Sequence, residues 1–111
     1  MIDEFTIGSF RIAGKQYLGD IKIIAGKVRY WQNRHKQILR LQDIDQLLAK
    51  KPETVIIGTG CSGLLQIPEE VQRMLRLAHV HVIIQKTPEA CKTYNKLAAE
   101  KKNVAAILQA T

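Results

Sequence analysis

Three short β-branched and apolar runs, at residues 54–57, 80–84 and 104–108, are separated by stretches of helical periodicity, and this arrangement constrains the fold more than any other feature. Runs such as Val55-Ile56-Ile57 lack the polar alternation of a half-solvated strand and read as strands buried on both faces. Pro68-Glu69-Glu70 opens the first intervening helix, with proline near its first position, carboxylates at the positive end of the dipole, and Val71, Met74, Leu75 and Ala78 as its apolar stripe. Thr87 is the expected N-cap of the next helix, Pro88 suits its first position, and Cys91, Tyr94, Leu97 and Ala98 define its buried face. Strand, helix, strand with crossovers of this length implies parallel pairing of the Val55 and Val82 strands through a right-handed connection. The loop at residues 58–63 and the Thr87 helix start should then share one end of an α/β sheet.

The first forty residues instead alternate with a period of two and read as β. Phe5, Ile7, Phe10 and Ile12 suggest one short strand bent at Gly8-Ser9, with a turn at Gly14-Lys15. Residues 17–24 and 28–31 read as two strands joined by a three-residue connection, Ala25-Gly26-Lys27. From Asp43 the spacing of Ile44, Leu47 and Leu48 marks a short helix that Pro52 ends. With 111 residues, residues 1–111 are expected to form a single domain with one core. No apolar run approaches the roughly 20 residues of a membrane helix, so no membrane partner is expected. Met1-Ile2-Asp3-Glu4-Phe5 reads as strand and not as a leader, so the expected location is cytoplasmic. Cys61 and Cys91 show no metal-ligand or disulfide-framework spacing, and reduced thiols are expected.

The formal net charge is +7 and it is uneven. Between Asp20 and Asp43 there is no acid, whereas Lys22, Lys27, Arg29, Arg34, Lys36 and Arg40 form a candidate basic patch. With Tyr30-Trp31 beside Arg29 and Arg34, it could stack and neutralise nucleic acid. Basic residues also keep a solvated strand from pairing at its edge, and that reading is preferred: nucleic-acid binding is not expected.

Gly58-Thr59-Gly60-Cys61-Ser62-Gly63 matches the letters of the dinucleotide fingerprint, but the chemistry does not follow. The helix that should receive the pyrophosphate begins only at Pro68, and the next strand ends in Gln85-Lys86 where an acid should hold the ribose. Leu64 and Leu65 stand where a phosphate loop needs lysine and a hydroxyl. Glu69, Glu70 and Glu89 would repel an anion at either helix start. Cys61 beside loop amides resembles an activated nucleophile, yet His35, His79 and His81 have no spacing that supplies it with a base. His79 and His81 would share a face if both lie on a strand, but a third metal ligand is lacking. No catalytic residue, cofactor or metal is therefore expected, and the glycines are expected to serve a tight turn with positive φ at Gly58 or Gly60.

Thr87, Ala90-Cys91 and the run Thr93-Tyr94-Asn95-Lys96-Leu97-Ala98-Ala99-Glu100, followed by Val104-Ala105-Ala106-Ile107-Leu108, resemble a widespread family first defined as a domain of unknown function. Gly58-Thr59-Gly60 and Pro68 fit the same pattern, and Lys101, where many members have glycine, departs from it. Its members include an archaeal conserved hypothetical protein, the adipogenesis-associated domain protein and a mitochondrial complex I assembly factor. The resemblance implies a single α/β domain with a mixed central sheet, a β-rich N-terminal layer and helices on the other side. It implies no established catalysis or cofactor. The leading expectation is a non-enzymatic protein-interaction or assembly-type module with a protein partner. The alternative is a small ligand-binding protein or enzyme using a cleft at Gly58, Thr59, Gly60, Cys61, Ser62, Thr87 and Asn95. Asn95 discriminates, since its amide either satisfies backbone groups or faces a ligand.

Overall fold

Residues expected to form three strands form five, as seen in the computed structural model, which describes residues 1–32 and 37–111. β1 (Ile2–Thr6), β2 (Ser9–Ile12) and β3 (Lys15–Leu18) make a three-stranded antiparallel sheet. The bend expected at Gly8-Ser9 is a hairpin turn, which sets Phe5 opposite Phe10 with their rings 4.8 Å apart. The strand expected over residues 17–24 is broken at Gly19-Asp20. There Asp20 Oδ1 accepts the Ala110 N–H at 2.6 Å and the Asp20 carbonyl accepts the Trp31 N–H at 2.9 Å, fastening the chain to a second sheet. That sheet receives the hairpin of β4 (Ile21–Ile24) and β5 (Lys27–Tyr30). Its turn is two residues long, not three: Ile24 pairs with Lys27, and Ala25 and Gly26 take φ of 51° and 77°, the left-handed pair such a turn needs.

The remaining elements are α1 (Leu41–Ala49), β6 (Thr54–Gly58), α2 (Glu69–Leu77), β7 (His81–Gln85), α3 (Thr87–Ala99) and β8 (Val104–Leu108). The second sheet has the order β5-β4-β8-β6-β7. β8, β6 and β7 are parallel, with Val55 opposite Val82 as expected, and β4 runs antiparallel to β8. The result is one α/β domain with a mixed central sheet and an N-terminal β layer.

The chain moves outward from β6 to β7 and then back across β6 to β8. Crossovers of one hand running in opposite directions must leave their helices on opposite faces. Ile21, Ile23, Ile56, Ala106 and Leu108 accordingly pack under α3 and the small sheet, whereas Ile24, Val55, Ile57, Ala105 and Ile107 pack under α1 and α2. The expectation of helices on one side is thus met by α1 and α2, which lie opposite the N-terminal layer, and corrected for α3, which shares its face. Full burial of each isoleucine, valine or leucine among these side chains stabilises the fold by about 1.5–3 kcal/mol. A second correction concerns the run at 80–84. Because β8 inserts between β4 and β6, β7 is left as an outer strand, and Ile84 is 48% exposed instead of buried. Met74 and Ala78 of the expected α2 stripe are also exposed.

Candidate functional site

The end of β6, the start of α3 and the end of β8 meet as the parallel pairing requires. Gly58 is glycine because of close packing: a Cβ there would lie 2.8 Å from Leu108 Cδ2 and 3.0 Å from Thr87 Oγ1. Gly60 makes the turn, with φ of +94°, and a Cβ on it would lie 2.3 Å from the Thr111 carbonyl oxygen. Thr87 corrects its assignment as N-cap. Lys86 occupies that position, and Thr87 is the first helical residue, fully buried. Its hydroxyl is engaged elsewhere, donating to the Gln109 carbonyl at 2.7 Å and accepting the Gly60 N–H at 2.9 Å. The Thr87 N–H donates to the Gly60 carbonyl at 3.1 Å.

Three more amides of the loop also bond within the protein. The Thr59 N–H donates to the Gln85 carbonyl, the Cys61 N–H to the Thr111 carbonyl and the Gly63 N–H to the Gly60 carbonyl. A phosphate cradle needs such groups pointing outward. Cys61 is half-buried and Ser62 exposed. His81 pairs with Thr54 at the far end of the strand from this loop, about 13 Å away at the usual rise per residue. His35 lies outside the described residues. Cys91 is buried in the α3 face, and its thiol is pushed up to about 12 by burial, with Cys61 adding to the effect. Among the described residues, no group of three or more His, Cys, Asp or Glu side chains comes together to hold a metal.

Asn95 does not join the loop. Midway along α3, its Oδ1 accepts the Ile2 N–H and its Nδ2 donates to the Ile2 carbonyl, both at 2.8 Å, clasping β1 onto the helix. It borders a shallow groove of about 260 Å³ shared with Phe5, Pro88 and Cys91. Gln109 and Thr111, which complete the loop's bonding, were not singled out in the sequence; the polar Gln109 directly after an apolar strand was the available signal.

The described members of the basic patch differ in setting, although Lys22 and Arg29 lie opposite each other on β4 and β5. Lys27 and Arg29 are exposed on β5, Arg40 is half-buried ahead of α1, and Arg34 and Lys36 lie outside the described residues. Lys22 is buried, and its ammonium pKa is lowered by that burial, partly offset by Asp43 and Asp45. These acids come from α1, so a stretch without acids in sequence faces acids across space. Asp43 also accepts the Arg40 N–H at 2.8 Å and starts the helix. Lys22, Arg29, Trp31, Asp43 and Asp45 line a trough of about 580 Å³. No helix among the described residues is long and apolar enough to cross a membrane.

Residues 2–109 match the family described as "Protein of unknown function (DUF498/DUF598)", and the chain belongs to it. It is 32% identical over 107 residues to the "13 kDa major membrane protein" of Francisella tularensis, covering 95% of this chain and 86% of that one. It is 30% identical over 101 residues to the human "NADH dehydrogenase [ubiquinone] 1 alpha subcomplex assembly factor 3", covering 89% of this chain but 54% of the relative's length. A solved structure of a conserved hypothetical protein from Pyrococcus horikoshii superimposes with a TM-score of 0.90 at 25% identity, covering 100% of this chain and 98% of that one. The resemblance to an assembly factor and to an archaeal protein is thereby shown.

Proposed function

We propose that this family member is a non-catalytic protein-binding module of the assembly-factor type, holding another protein without transforming it. The observation that carries the reading is the way the loop after β6 is bonded: the N–H groups of Thr59, Gly60, Cys61 and Gly63 all go to acceptors within the chain. The amide of Asn95 likewise clasps Ile2, the outcome that favours a structural role. The name of the human relative points the same way. For the contact surface, β5 offers an outer strand with Lys27, Arg29 and Tyr30 exposed, suited to an extended segment carrying acids.

Affinity capture from the native lysate tests this with three baits: the unaltered chain, Cys61→Ser, and Arg29→Glu with Tyr30→Ala. A protein partner kept by Cys61→Ser and lost by the β5 variant is expected. Loss confined to Cys61→Ser would move the function to the loop and sink the proposal.

A further inference from the structure

The two outer strands of the large sheet are protected differently. β5 carries Lys27 and Arg29, charges that repel a second copy of the same strand. β7, His81-Val82-Ile83-Ile84-Gln85, carries no lysine, arginine, acid or proline, and Ile84 is 48% exposed. The His81 N–H donates to the Glu53 carbonyl and the Gln85 carbonyl accepts the Thr59 N–H. In a parallel ladder, residues 81, 83 and 85 therefore direct their backbone groups toward β6, and Val82 and Ile84 direct theirs to the open side.

We infer that β7 pairs antiparallel with β7 of a second copy of this chain, about a twofold axis through Ile83. In that register Val82 lies opposite Ile84 of the second copy, and each such pair exchanges both N–H···O bonds, using the outward groups of both residues. Ile83 meets its own counterpart at a non-hydrogen-bonded position, where side chains approach most closely.

Charge on both faces selects a second copy over an arbitrary extended peptide. A groove of about 340 Å³ between α2 and β7 is lined by Gln72, Leu75, Arg76, Val82 and Ile84. Arg76 bonds Glu69, so Glu69, Gln72 and Arg76 occupy one flank of α2 beside the open edge. The twofold axis runs the two α2 helices antiparallel and sets Glu69 against Arg76 of the other copy, twice. On the opposite face Thr93 Oγ1 donates to Gln85 Oε1, which turns the Thr93 flank of α3 toward β7. Glu89 and Lys96, four residues before and three after Thr93, share that flank and are likewise exchanged by the axis. A parallel apposition would place like charges together on both faces. The antiparallel dimer continues the sheet through both copies and leaves each β5 outermost, free for the partner proposed above, on which this inference does not depend.

Sedimentation velocity and light scattering from micromolar to sub-millimolar concentration test it. The unaltered chain is expected to dimerise, Ile84→Lys to be monomeric with an unchanged circular dichroism spectrum, and Glu69→Arg or Arg76→Glu alone to weaken the dimer by at least about tenfold. The double reversal Glu69→Arg with Arg76→Glu should restore it. In a Cys61→Ser background, oxidised Ile83→Cys should form a covalent dimer far more readily than Val82→Cys. A chain that stays monomeric throughout the range overturns the inference. So does a dimer indifferent to both single charge reversals, which would place the contact on another face. If Ile84→Lys fails to fold, the charge series decides alone.

Discussion

Replacing Thr87 with valine keeps the volume and the methyl but removes a hydroxyl that is fully buried and bonded on both sides. Two bonds are lost: the donation to the Gln109 carbonyl and the acceptance of the Gly60 N–H. A typical bond contributes about 1 kcal/mol net, but a buried donor left unmatched costs about 1–3 kcal/mol, and the Gly60 N–H becomes such a donor. The expected loss is therefore about 2–4 kcal/mol. Thr87→Ser keeps the hydroxyl and loses only the methyl, for about 1 kcal/mol. Urea titration followed by the fluorescence of Trp31, the sole tryptophan and a buried one, measures both. With a slope of about 1–2 kcal/mol per molar, Thr87→Val should lower the midpoint by about 1–4 M with the slope unchanged. A smaller loss for Thr87→Val than for Thr87→Ser would show that the methyl, not the hydroxyl, holds this junction, and would refute the reasoning.

Asn95→Ala removes both bonds to Ile2 and should cost about 1–3 kcal/mol, with amides of β1 exchanging faster than those of β6; equal protection of the two strands would refute the clasp. The thiol of Cys91, pushed up to about 12, and the phenol of Tyr94, raised by burial, stay protonated in the native state where the unfolded chain ionises. Stability is therefore full below about pH 9 and falls as pH rises toward 12, and a flat stability profile from pH 8 to 11 would contradict this. Lys22 titrates in the opposite sense, since burial lowers its pKa and penalises the charged form at neutral pH. Lys22→Met should leave stability unchanged or raise it, and a loss above about 1 kcal/mol would show that Asp43 and Asp45 more than offset burial.

The parallel strands were legible because β-branched runs without alternation leave few alternatives, and the meeting of the 58–63 loop with Thr87 followed from their direction alone. Strand order was not legible. Nothing local in Val104-Ala105-Ala106-Ile107-Leu108 states that it will lie between β4 and β6, so β7 read as buried although its Ile84 is exposed. Thr87-Pro88-Glu89 carries a sound capping pattern, but capping competes with tertiary bonds, and the carbonyl of Gln109, 22 residues away, took the hydroxyl. The acid-free stretch misled in the same way, because charge balance is set across space and Asp43 and Asp45 arrive from α1.

The Thr87 hydroxyl belongs to the bonding of the loop that follows β6. In open α/β sheets, ligands bind beyond the carboxyl ends of the strands where successive connections diverge to opposite faces. Here the connections diverge at β6, between α2 on one face and α3 on the other, so the loop at residues 58–63 stands at the position where a ligand would be sought. The chain itself occupies it. Gln109 follows β8 into hydrogen-bond reach of Gly58 and Thr87, and Thr111 accepts from Cys61. Residues that in a nucleotide-binding α/β sheet would face a phosphate instead join three segments distant in sequence. The glycines at 58 and 60 then need no ligand to account for them: one admits Leu108 and Thr87, and the other lets the chain turn beneath Thr111. With the loop bonded in this way, the outer strands β5 and β7 of the large sheet are the edges that the proposed protein binding would use.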